Sequence, residues 1–224
     1  MKYESVIFDL DGTLSDPSEG IFRCLHHAFD AVGRPELKNG NLGWFIGPPI
    51  FESFCTVLDG SEADAELALN HYRVRYGSVG KFENELYADI PELLDTIRER
   101  GLKIYLATSK PHDFAHDILR HFGLTDRFAD IQGHDVTDHR ETKTQVMRRL
   151  LDRNPIDPAK ALMVGDRSHD VQASFDFGIA CVGVRWGFGQ PEEFDRPNVV
   201  ATISAPLELI SVLDARTPGE SIRN

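Results

Sequence analysis

The sequence predicts an α/β protein, a three-layer core around a central parallel sheet with an all-helical unit inserted after the first strand. Three observations predict it. Apolar runs without polar alternation, at Val6-Ile7-Phe8, Ile104-Tyr105-Leu106-Ala107 and Ala161-Leu162-Met163-Val164, read as strands buried on both faces. From about residue 88 such runs alternate with helical patterns, which implies right-handed crossovers and parallel pairing. Between residues 17 and 80 the helical patterns follow one another with no strand between them. The expected division is a core of 1–15 and 85–224 and a helical unit of 16–84.

The elements follow in order. Pro17 sits where a helix can begin, and Ile21, Leu25, Ala28, Phe29 and Val32 recur at helical spacing up to the stop at Gly33-Arg34-Pro35. Residues 36–50 are rich in loop formers and include Pro48-Pro49. Helices are expected at 50–58 and 62–76, with Gly77 and Gly80 as punctuation. Next come a helix from Ile90 to Arg100, a strand at 103–107, a helix at 112–122 stopped by Gly123, and a short strand at 128–131. A helix at 142–153, a strand at 161–164, a helix at 169–177 closed by Gly178 and a strand at 179–184 complete the alternation. A weak strand at 199–202 and a helix at 205–214 follow. The polar tail 215–224, with Pro218-Gly219, reads as frayed.

Composition narrows the function classes. The chain has 224 residues, 41% hydrophobic and 27% charged, with a formal net charge of −12. That charge argues against a nucleic-acid polymer as partner, which would need clustered Lys and Arg. The three cysteines are far apart and lack metal-ligand spacing. No window approaches a membrane span, and the first residues lack a signal peptide's apolar core, so the expected location is cytoplasmic.

Polar residues gather at expected strand tips, where open parallel sheets bind ligands. The first strand runs into Asp9 and Asp11, with Gly12 allowing a turn. The strand at 103–107 ends at Thr108-Ser109. The strand at 161–164 ends at Gly165-Asp166, with Asp170 one helical turn on, and Lys143 opens a helix. Asp9, Asp166 and Asp170 need a cation to tolerate an anionic substrate, and an all-oxygen set suits Mg²⁺ with waters and a phosphate. A carboxylate can act as nucleophile on phosphorus, a second can exchange the proton, and a hydroxyl and a lysine can stabilise the transferring group.

Asp9-Leu10-Asp11-Gly12-Thr13, Thr108-Ser109, Lys143 and Gly165-Asp166-Arg167-Ser168-His169-Asp170 resemble, in order, the four motifs of the haloacid dehalogenase-like hydrolase superfamily. Thr108-Ser109-Lys110-Pro111 and Gly183-Val184-Arg185-Trp186-Gly187 look most like its phosphoglycolate phosphatase-like branch, some of whose members act on nucleoside monophosphates. The resemblance implies a Rossmann-like core and a small helical cap over the substrate. It implies Asp9 as nucleophile and Mg²⁺ ligand, and Asp11 as general acid/base whose backbone carbonyl also touches the metal. Thr108 would bind phosphate with the Ser109 N–H nearby, Lys143 would hold the nucleophile and the phosphoryl charge, and Asp166 and Asp170 would bind Mg²⁺. The second acid of the first motif, Asp11, argues for phosphate chemistry over dehalogenation. The expected activity is Mg²⁺-dependent hydrolysis of a small phosphomonoester, phosphoglycolate-like or a nucleoside monophosphate, by a monomer or homodimer. The alternatives are a phosphosugar mutase on the same scaffold, a phosphoacceptor switch and an inactive binding protein.

Other signals weigh less. His112 and His116 lie i, i+4 on a helix but read as flanking an apolar stripe. Gly183, Gly187 and Gly189 read as loop glycines. Gly47-Pro48-Pro49 is evenly balanced between a turn and a substrate-contacting loop, with Gly47 the candidate contact. Lys110 reads either as local positive charge or as a solvated loop lysine.

Overall fold

A computed structural model describes residues 3–135, 137 and 141–215. The frayed-tail expectation for 216–224 lies outside the described residues. Six parallel strands form the main sheet: β1 (Ser5–Phe8), β4 (Lys103–Pro111), β5 (Asp130–His134), β6 (Ala161–Gly165), β7 (Ala180–Val184) and β8 (Val199–Ile203), in spatial order β5-β4-β1-β6-β7-β8. β1 lies between β4 and β6, so successive crossovers leave it in opposite directions. The carboxyl ends of those three strands therefore border the crevice where this topology binds ligands.

The sheet's two faces are covered by different helices, which is why its strands are apolar throughout. On one face Val6, Phe8, Ile104 and Leu162 pack with α4 (Ile90–Glu99), α5 (His112–His121) and α8 (Glu208–Asp214) residues. On the other Ile7, Tyr105 and Met163 pack with α6 (Lys143–Arg153) and α7 (Ser168–Asp176) residues. The all-helical stretch holds α1 (Ser18–Ala31), α2 (Ile50–Val57) and α3 (Glu62–Ser78), with 3₁₀ turns at Pro35–Asn39, Gly43–Phe45 and Gly80–Phe82. These share their own apolar cluster, centred on Leu25, Phe29, Phe54, Leu69 and Tyr76. A two-residue ribbon, β2 (Ser15–Asp16) antiparallel to β3 (Glu85–Leu86), joins the chain entering that stretch to the chain leaving it.

Several expected boundaries move by one to three residues, among them the start of α8, and three departures lie near the cleft. β4 runs to Pro111 instead of ending before Thr108, because it resumes pairing with β5 after a register shift between Ala107 and Pro111. The strand expected at 128–131 lies at Asp130–His134, where Gln132 and His134 are polar yet buried. Residues 36–50 contain two 3₁₀ turns where only loop was expected.

Candidate active site

Asp9 follows β1, and its N–H still donates to the Val164 carbonyl at 3.0 Å, which holds it against the end of β6. Gly165-Asp166 ends β6 and leads into α7, which carries Asp170. Thr142 caps α6 reciprocally with Gln145, which sets Lys143 as the first helical residue and turns it inward. Lys143 Nζ reaches Asp9 Oδ1 at 2.6 Å and Asp170 Oδ1 at 2.8 Å. Asp9, Asp166 and Asp170 each offer a carboxylate oxygen within 4.8 Å of the others, and all three are buried. Residues more than 150 positions apart thus meet at one point.

The electrostatics are severe. Desolvation, helped by Asp170 and Asp9, pushes the Asp166 carboxyl well above the usual carboxylate range. Burial raises Asp170 to about 6 even with Lys143 beside it. Burial would pull Lys143 down, but the charges of Asp170 and Asp9 outweigh it and hold the ammonium at about 12. Asp166 Oδ2 accepts the Phe188 N–H at 2.8 Å, while Oδ1 is buried with no hydrogen-bond partner among the described residues. Buried polar atoms are rarely left unpaired, so this oxygen is placed to take a ligand. An all-oxygen trio with a surplus of negative charge fits a hard divalent cation such as Mg²⁺.

Glycines make this crowding feasible. A Cβ on Gly12, whose φ is +78°, would sit 2.2 Å from Asp166 Oδ2. One on Gly187 would lie 2.4 Å from both the Asp166 Cβ and the Gly12 carbonyl, and one on Gly189 would strike the Asp166 carbonyl. Gly187 and Gly189 therefore have a packing role beyond that of loop glycines: they let the loop after β7 lie directly on the acid.

Asp9, Asp11, Thr108, Ser109 and Gly47 all line one cleft, open to solvent. Lys143, Asp166 and Asp170 are not on its wall; Lys143 connects to it through Asp9. Thr108 is buried, and its hydroxyl accepts the Lys110 N–H at 3.2 Å. Ser109 is half-buried. The Asp11 carboxylate stands outside the acidic trio and pairs with Lys110 at 2.8 Å. Burial raises its pKa against the pull of Lys110. Gly47, with φ +107°, has room for no side chain, since a Cβ would lie 2.7 Å from Arg167 Cγ. The Arg167 guanidinium donates to the Ile46 carbonyl and approaches Glu193 at 3.3 Å.

Sequence reasoning missed the use made of Lys110 and Arg167. Lys110 is buried, so the solvated-loop reading fails. The available signal was its i, i+2 relation to Thr108, which in an extended segment puts both side chains on one face. Nothing local announces Arg167, whose partners lie 121 and 26 positions away. His112 and His116 have ring centroids 4.6 Å apart, but among the described residues they belong to no group of three metal-ligating side chains.

The family model for haloacid dehalogenase-like hydrolases matches residues 6–184. The chain belongs to the haloacid dehalogenase-like hydrolase family. It is 42% identical over 193 residues to a 5'-nucleotidase of Pseudomonas aeruginosa, covering 86% of this chain and 87% of that protein. A Clostridium acetobutylicum structure named a predicted phosphatase superposes with a TM-score of 0.88 at 32% identity, covering 96% of this chain and all of that one. The tyrosine-protein kinase PtkA of Mycobacterium tuberculosis is 36% identical over 200 residues, covering 89% of this chain and 68% of that protein, and its structure has a TM-score of 0.82. No helix among the described residues is long and apolar enough to cross a membrane.

Proposed function

We propose that this family member is a Mg²⁺-dependent phosphomonoesterase that works through an aspartyl-phosphate on Asp9, with 16–84 capping a core of 1–15 and 85–224. The observation that carries the reading is the Asp9–Lys143–Asp170 ion-paired chain with the unpaired Asp166 oxygen beside it, set at the crevice of the sheet. Three buried carboxylates, Asp9, Asp166 and Asp170, face one buried ammonium, Lys143, a surplus of negative charge that suits a divalent cation. Asp9, Asp166 and Asp170, with the Asp11 backbone carbonyl, would hold Mg²⁺, which when bound supplies charge neutralisation between the acids and the substrate phosphate.

The protein's own groups would do the rest. Lys143 Nζ, 2.6 Å from Asp9 Oδ1, orients Asp9 for attack on phosphorus. Asp11 gives a proton to the departing ester oxygen and later takes one from the attacking water. The Thr108 hydroxyl and the Ser109 N–H meet the equatorial phosphoryl oxygens, whose charge grows in the transition state.

The cleft favours a nucleoside monophosphate over phosphoglycolate. Beyond the acids its wall carries Phe45, Phe51, Tyr72 and Phe114, an aromatic lining suited to a base. The 42% identity to a 5'-nucleotidase supports the same choice. The test is hydrolysis of p-nitrophenyl phosphate. Activity with Mg²⁺, its loss with EDTA, and no turnover by a folded Asp9→Asn variant are expected. Wild-type turnover by Asp9→Asn would overturn the mechanism.

A further inference from the structure

Lys110 is where the catalytic loop and the helical stretch meet. Its Nζ lies 2.8 Å from Asp11 Oδ2, donates to the Tyr76 hydroxyl of α3, and sits 4.3 Å from the Tyr76 ring centre. All three residues are buried and line the cleft. Asp11 is thereby divided: Oδ2 is held by the ammonium, while Oδ1 is buried without a hydrogen-bond partner among the described residues. A buried ion pair is a poor stabiliser, since desolvating both charges cancels most of their attraction. This pair lies on the cleft wall, and Lys110 also reaches Tyr76 of the helical unit, so its value is better sought in orientation. We propose that Lys110 is a positioning residue that fixes the rotation of Asp11 and ties it through Tyr76 to the seating of α3, so that Oδ1 is presented for proton exchange when the helical unit is docked.

This inference rests on the phosphomonoesterase reading. In the first step an Asp9 oxygen bonds to phosphorus as the ester P–O bond breaks, and the proton on Asp11 Oδ1 goes to the departing oxygen. In the second, a water oxygen bonds to phosphorus as the Asp9 O–P bond breaks, and a water proton returns to Oδ1. An alkyl leaving group needs the first proton; p-nitrophenolate, a stable anion, does not. The two esters therefore separate a fault in Asp11 from a fault in phosphate binding.

The experiment is rapid-mixing kinetics on Lys110→Met, which keeps the aliphatic stem and removes the charge. Formation of the phosphoenzyme from a nucleoside 5'-monophosphate should slow by about 100-fold, the lower end of what general acid catalysis contributes. Its formation from p-nitrophenyl phosphate should be unchanged, and slow second-step hydrolysis should give a burst of p-nitrophenolate equal to the enzyme present. Tyr76→Phe, which removes one oxygen, should show the same selectivity to a smaller degree and serves if Lys110→Met does not fold. Equal slowing with both esters would assign Lys110 to the phosphate or to the fold and overturn the proposal, as would wild-type rates with both. A wild-type protein that cleaves neither ester would instead overturn the phosphatase reading beneath it.

Discussion

Asp166 carries the densest set of constraints on any single residue. Its carboxylate is boxed by Gly12, Gly187 and Gly189, accepts the Phe188 N–H, and leaves one buried oxygen without a partner. A divalent cation bound there stabilises only the folded state. At a hundred times its dissociation constant that amounts to about 2.7 kcal/mol, or a rise of about 5–10 °C in Tm for a chain of this size. Asp166→Asn should abolish the Mg²⁺-dependent rise while keeping a cooperative melt, read by calorimetry with and without EDTA and with no substrate present. A full-sized rise in the variant would remove Asp166 from the ligand set. Asp9, Asp11, Thr108, Lys143, Asp166 and Asp170 were legible as candidates because each follows an apolar strand or opens a helix, and strand tips can be read from local pattern. The glycine packing around Asp166 was not, because the three contacts depend on loops that are neighbours only after folding.

At the scale of elements, the helical stretch is fastened by Glu83, just beyond the 3₁₀ turn after α3. Its carboxylate accepts from Arg75 at 2.7 and 3.0 Å and from Arg23 of α1 at 2.6 Å, and its backbone carbonyl accepts the Gly20 N–H at 3.0 Å. The Arg75 guanidinium beside Glu83 holds its pKa down to about 2, from an ordinary 4.5, with Arg23 contributing. A depressed carboxylate contributes stability above its unfolded pKa and loses it as pH falls toward the folded one. Glu83→Gln should therefore lower stability by about 1 kcal/mol at pH 7, the upper range for solvent-screened pairs. The gap between variant and wild type should narrow steadily from pH 5 toward pH 2 in denaturant titrations. A gap independent of pH would show that the pair contributes packing and not charge.

At the scale of the whole molecule, the helical stretch and the core meet beside the cleft. Arg167, next to Asp166, donates to the Ile46 carbonyl, and Gly47 packs on the arginine stem. Under the proposed function this contact fixes the loop that borders the substrate. Arg167→Ala should raise KM for a nucleoside monophosphate by about tenfold, equivalent to one charge-assisted hydrogen bond. Steady-state kinetics should show little change in kcat, and an unchanged KM would dissociate the contact from substrate binding. A panel of phosphorylated metabolites ranked by kcat/KM should place nucleoside monophosphates above phosphoglycolate, because the aromatic wall offers stacking area and phosphoglycolate has no ring to use it. The reverse order would assign the aromatics to packing alone.

The sequence by itself determined the fold class, the order of the main-sheet strands and the α-helices, and the family; the short β2–β3 ribbon was not among the elements it predicted. Apolar periodicity, capping residues and short motifs are local properties that survive without coordinates. Only the tertiary structure decided that Lys110 turns inward to Asp11 and Tyr76, that β4 continues to Pro111, that Arg167 reaches Ile46, and that glycines of one loop admit the acid of another. Each of these is a contact between segments far apart in the chain. Its existence depends on which strand tips the sheet order brings side by side, a relation that no pattern along the chain encodes.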